Sequence, residues 1–241
     1  MSGEPAGDRG QAGPPAQGQE PARAPGGPRS RRSGAPGAWD GRFPGFDTAA
    51  QARHWDPVTA GVVLSRLRIP QEMGFFTPAE QAAATALCDR LLGQQDEGPR
   101  IPVVVLIDAR LARMETDGWR YADMPEDAQA WRDTLRYLDQ DAQAGSGCEF
   151  ARCPPGDQRA IIQAVQDAGS KDWHGLNAAH VWSLWTRYAC TAFYSHPQVW
   201  NEIGFPGPAY PRGYKHAGVG AREPFEVVDR HPADDPVREG Y

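Results

Sequence analysis

The sequence predicts an all-α fold: a single helical domain behind a disordered amino-terminal tail, with a long irregular Gly/Pro/aromatic segment at the carboxy-terminal end. Three observations lead there. Apolar residues recur at spacings of three and four through most of the middle of the chain. Helix-start signals precede several of these runs. Alternating strands, and hairpin dipeptides flanked by β-branched runs, do not stand out.

The tail covers residues 1–38 and the helical domain 39–241. Met1 to Gly37 holds no Leu, Ile, Val or aromatic residue, so nothing offsets the entropy of ordering it. Arg31-Arg32 resembles the core of a twin-arginine export signal, but no apolar run follows and no signal peptide is expected. No later stretch approaches the ~20 apolar residues of a membrane-spanning helix. A soluble chain without direct membrane insertion, cytoplasmic on its own signals, is the expectation. The net charge is −6, with Lys and Arg scattered rather than gathered on a stripe, which argues against nucleic acid as a partner. Four cysteines in 241 residues, without a secretion signal, argue against a disulfide scaffold.

Each element has its own signal. Thr48 to Leu67 carries Val58, Val62, Val63, Leu64 and Leu67 on a helical period, broken by Pro70, and the aromatic preface Trp39 to Phe46 should pack on the domain. Thr77-Pro78-Ala79-Glu80 reads as a capping box. Its helix should run to Leu92, bury Ala84, Leu87, Cys88 and Leu91, and end at Gly93. Pro102 opens a segment from Val103 to Leu111 that fits a helix or a short strand. Glu126 to Ala144 places Trp131, Leu135 and Leu138 on one face. After a loop from Gly145 to Pro155, helices are expected over Pro155 to Ala168 and Leu176 to His196. Pro197 should stop the last of these. The segment 197–241 is then an irregular strap whose aromatic residues need a surface, either the chain's own domain or a second protein.

Three sequence blocks in and after the last helix are distinctive: Phe193-Tyr194-Ser195-His196-Pro197, Trp200-Asn201-Glu202-Ile203-Gly204-Phe205-Pro206-Gly207 and Tyr210-Pro211-Arg212-Gly213-Tyr214. With the Thr77–Glu80 helix start and Asp108-Ala109-Arg110-Leu111, they make the chain resemble the gluconate 2-dehydrogenase subunit 3 family, over roughly Phe75 to Phe225. The resemblance implies a non-catalytic small accessory subunit in an oxidoreductase complex, a heteromer. Such a subunit binds, stabilises or helps assemble an FAD-dependent sugar or polyol dehydrogenase or oxidase of the glucose-methanol-choline type. The partner is then the flavoprotein large subunit, often accompanied by a cytochrome c subunit, with FAD on that partner and no cofactor on this chain. The missing twin-arginine leader departs from the commoner family pattern, so a periplasmic location would require export with a partner. Trp200, Asn201, Glu202, Phe205, Tyr210, Arg212 and Tyr214 are the expected partner-binding residues, because Trp, Tyr and Arg concentrate binding energy at interfaces. That they tie the segment to its own domain is the alternative.

The remaining chemistry is sparse. No Gly-x-Gly-x-x-Gly follows a strand and no Cys-x-x-Cys-His is present. Cys148 and Cys153, with His174 and His180, have a spacing that would suit an independent zinc-binding protein. The same two cysteines could instead pair with each other, bridge to the large subunit, or remain loop thiols. Cys88 and Cys190 read as small core residues. His196 and Glu202 could act as a base and its orienting group, against a role for His196 in closing its helix at the carbonyl end. Trp173, Trp182 and Trp185 fit a core better than a ligand-stacking box, and Asp139 and Asp141 fit a solvated face.

Overall fold

A computed structural model of the chain describes residue 43 and residues 46–68, 72–94 and 100–208, all within one compact unit. The expected tail and the positions Tyr210, Arg212 and Tyr214 lie outside the described residues. Within them the fold is all-α: α1 Pro57–Ser65, α2 Pro78–Leu92, α3 Val103–Ala112, α4 Asp127–Ser146, α5 Pro155–Ala168, α6 Ala178–Tyr194 and α7 Pro197–Ile203. Short 3-10 turns occupy Ala49–His54 and Phe150–Arg152.

α6 is the central helix, packed against α2, α3, α4 and α5. Its Val181, Leu184, Trp185, Tyr188 and Ala192 recur every three or four residues and face the core. α4 answers with Ala130, Trp131, Thr134, Leu135, Leu138 and Ala142. Trp131 and Trp185 are both fully buried. The Trp185 indole N–H donates to Thr134 Oγ1 at 3.0 Å and the Thr134 hydroxyl donates to the Trp131 carbonyl at 3.2 Å, which keeps that threonine satisfied inside the core.

α2 keeps its expected bounds. Thr77 Oγ1 accepts from Glu80 N–H, the Glu80 carboxylate accepts from Thr77 N–H at 2.8 Å, and Gly93 closes the helix at φ 64°. The entry to α2 is fixed from α3, where buried Asp108 accepts the backbone N–H groups of Gly74, Phe75 and Phe76 at 2.6, 3.0 and 2.8 Å. The Val103 run is helical, since its positions 103, 104, 107, 108 and 111 bury one face against α2 and α6.

Four expectations need correcting. The Thr48–Leu67 segment is not one helix: Asp56 is extended and caps a new start at Pro57, its carboxylate accepting from Val58 and Thr59 N–H, so a 3-10 turn precedes α1. A two-stranded antiparallel hairpin, β1 Asp172–Trp173 and β2 Leu176–Asn177, precedes α6, turning through His174 and Gly175 at φ 52° and 84°. Pro197 does not open an irregular segment; it sits in the first turn of α7. Cys190 is exposed, unlike the buried Cys88. None of the described helices is long and apolar enough to cross a membrane.

A candidate partner-facing clasp at the α6–α7 corner

α6 ends at Tyr194, and the next two residues, Ser195 and His196, turn the chain into α7. His196 is extended, at φ −87° and ψ 129°, and its Nδ1 accepts the N–H of Gln198 at 3.3 Å. It is therefore the amino-terminal cap of α7 and not the carboxy-terminal end of α6. Burial holds its imidazole below the usual histidine range, which favours the neutral ring that a cap acceptor requires. A general-base pair with Glu202 is thus poorly served, because the His196 side chain is buried and its Nδ1 already has a partner.

The Trp200–Gly207 block closes on the chain's own amino-terminal segment. The Trp200 indole N–H donates to the Tyr194 carbonyl at 2.6 Å, taking up a free carbonyl at the end of α6. Asn201 Oδ1 accepts the Thr48 N–H at 2.7 Å, and the Thr48 hydroxyl donates to the Phe205 carbonyl at 3.1 Å. Phe205 packs edge-on against Trp200, with ring centroids 5.0 Å apart. Gly204 (φ 68°) lies under the Phe43 ring and Gly207 (φ 81°) under Trp55, each so close that a Cβ would overlap the ring. Trp55, Val63 and Trp200 form a second, small core with Ala52, Ala60 and Phe205 around them. Arg66 Nη1 donates to the Ser195 carbonyl at 3.0 Å, and its guanidinium lies over Trp200.

Of the expected partner anchors, Trp200 is buried, and Asn201 and Phe205 are half-buried and engaged with the chain itself. Glu202 is half-buried on α7. The large apolar side chains that face outward at this end are Val58, Val62, Leu67, Tyr194 and Ile203. The first three belong to the helical apolar series expected over Thr48 to Leu67, and the fold leaves them uncovered. The available signal was that α1 is apolar on all sides, so one face had to remain uncovered.

The metal reading does not assemble. Cys148 and Cys153 are joined by a disulfide. His174 pairs with Asp141 at 2.7 Å and stacks on Tyr137, while His180 pairs with Asp123 at 2.8 Å and stacks on Tyr121. Among the described residues no group of three His, Cys, Asp or Glu is arranged to hold a metal ion. Asp139 accepts the Phe150 N–H at 2.9 Å and Asp141 accepts the Trp173 indole N–H at 2.8 Å, so both brace loops. Trp182 and Trp173 pack half-buried against the main core, beside the fully buried Trp185.

A charged cluster that sequence reasoning missed stands beside α6. Asp117 pairs with both Arg110 and Arg187, and the Tyr188 hydroxyl donates to Asp127 at 2.7 Å. Burial raises the Tyr188 phenol well above its usual range, and the hydrogen bond to Asp127 adds to the shift. Burial would raise Asp117 as well, but the two guanidiniums outweigh it and hold the carboxyl below its usual range.

No curated protein and no solved structure matches the chain. The family model described as gluconate 2-dehydrogenase subunit 3 matches residues 78–207, from the first residue of α2 to the last glycine of the clasp. That stretch is more than half of the 241 residues and contains the whole helical body around α6, so the chain belongs to the gluconate 2-dehydrogenase subunit 3 family.

Proposed function

We propose that the chain is a non-catalytic small subunit that binds and stabilises an FAD-dependent sugar or polyol dehydrogenase of the glucose-methanol-choline type. FAD then resides on the large subunit, and a cytochrome c subunit can complete the assembly. The observation that carries this reading is the family match over residues 78–207, which spans the helical body and ends on the clasp. The polar groups with most claim to chemistry have structural work that is consistent with it: His196 caps α7, Asp141 braces the hairpin, and Cys148 is bonded to Cys153. A subunit that binds only the folded form of its partner raises that partner's stability by mass action.

The same reading extends to location. Disulfides persist in oxidising compartments and are rare in a reducing cytoplasm. The Cys148–Cys153 pair therefore favours a site of action outside the cytoplasm, reached by export with the partner, over the cytoplasmic location expected from the sequence.

Co-expression with a glucose-methanol-choline-type flavoprotein from the same genome tests the proposal. A single complex showing a flavin spectrum on size exclusion is the expected result. Two separate peaks, with flavoprotein activity and stability the same with and without this chain, would overturn it.

A further inference from the structure

Between α3 and α6 the surface opens into a groove of about 280 Å³. Leu106, Ile107 and Ala192 contribute apolar surface to it, and Arg66, Arg110 and Arg113 bring guanidiniums to its lining. Glu115 is the one carboxylate among the lining residues. Arg113 is matched by Glu115 and Arg110 by Asp117. Arg66 meets no carboxylate among the described residues; it donates to the Ser195 carbonyl and lies over Trp200. A guanidinium has five N–H donors, and a carboxylate held by two of them is the strong bidentate pairing. Exposed apolar residues adjoin three of the lining residues in sequence: Leu67 beside Arg66, Met114 beside Arg113 and Tyr194 beside Ser195, which are 40 %, 85 % and 52 % exposed.

We propose that this groove is where the partner subunit docks, and that it takes a segment in which an apolar side chain is flanked by carboxylates. The inference rests on the small-subunit reading and gives that reading a surface. The aliphatic floor would bury the apolar side chain while Arg66 pairs with a carboxylate, combining an apolar centre with a charged rim. A basic segment would meet the unmatched guanidinium of Arg66, the other two being paired with Glu115 and Asp117, and a free inorganic anion would leave the floor uncovered. The clasp would serve binding by position: Arg66 follows α1, outside the family-matched stretch, and its bond to the Ser195 carbonyl sets it against the end of α6.

The test uses the full chain co-expressed with the same flavoprotein, comparing wild type with Arg66→Gln, Arg113→Glu and Val58→Glu. Arg113 is exposed and Val58 lies on the outer face of α1, so neither change threatens the core. Affinity should fall about tenfold or more for both arginine variants, and for wild type in raised salt, with Val58→Glu unchanged. A fluorescein-labelled Leu-Glu-Leu-Glu peptide should bind the chain alone more tightly than its Leu-Lys-Leu-Lys counterpart, and Arg66→Gln should abolish that preference. If wild type and both arginine variants hold the flavoprotein equally, the groove assignment is overturned while the subunit reading stands. If wild type holds no flavoprotein, the subunit reading fails and the peptides decide the groove: equal or absent binding overturns it, and acid-selective, Arg66-dependent binding supports it.

Discussion

Replacing Asp108 with alanine would strand the amides of Gly74, Phe75 and Phe76, which point at one buried carboxylate. The Phe76 amide lies in a buried bond, and an unmade buried hydrogen bond costs roughly 1–3 kcal/mol, so the total loss should be about 3 kcal/mol. Urea denaturation of Asp108→Ala against wild type measures it, and a loss under about 1 kcal/mol would contradict the anchoring role. His196 makes a prediction of a different kind. Burial lowers its folded pKa below the ordinary 6.5, so below that pH the unfolded chain binds more protons than the folded one. The stability contributed by the neutral ring is present above about 6.5 and is lost as pH falls through the folded value. Thermal melts on the acid side of neutrality should therefore fall more steeply for wild type than for His196→Asn, which keeps a cap acceptor but cannot titrate.

At the scale of elements, the clasp depends on glycines that let aromatic rings approach the backbone. Gly207→Ala adds a Cβ at φ 81° beneath Trp55. The left-handed backbone alone costs a residue with a Cβ about 1–2 kcal/mol, and the overlap with the ring adds to that. Amide exchange over residues 46–68 should speed up about tenfold or more while the middle of α6 keeps its protection, because local opening draws on local stability. Equal loss in both regions would mean that the clasp and the main core are one cooperative unit. The bounds of α2 and α5 were legible because their start and stop chemistry lies in adjacent residues. α1 and α7 both depart from the sequence expectation at a proline. Pro57 lies inside the expected Thr48–Leu67 helix and Pro197 is the expected stop of the last one, yet each follows an extended residue, Asp56 or His196, and is a start. The hairpin of two-residue strands is too short for alternation to register. The Trp200–Gly207 block stood out as special by its composition, but what covers it was not legible. Its hydrogen-bonding partner Thr48 is 153 positions from Asn201, and no local pattern encodes so distant a contact.

For the molecule as a whole, the four cysteines make a count that distinguishes the two candidate compartments. Cys148 and Cys153 are bonded, Cys190 is exposed, and burial pushes the Cys88 thiol up to about 12, where it stays protonated and shielded. Protein recovered from an oxidising compartment and assayed without reductant should present one fast-reacting thiol when folded, a second only after denaturation, and the last two only after reduction. Four thiols on denaturation alone would mean that the chain works reduced, and the proposed location would fail with it. The bond should contribute modestly to stability, because it closes a loop of only five residues' separation, for which loop-closure entropy gives about 2 kcal/mol. Without it, the Phe150 N–H bond to Asp139 and the Gln158 side-chain bond to the Phe150 carbonyl, at 2.9 and 3.0 Å, still hold the same turn. A Cys148→Ser, Cys153→Ser double variant should therefore stay folded and melt only about 4–8 °C lower. Its groove between α3 and α6 contains neither cysteine, so its affinity for the flavoprotein should match wild type. A variant that folds but loses the flavoprotein would instead place the disulfide loop, and not the groove, at the interface.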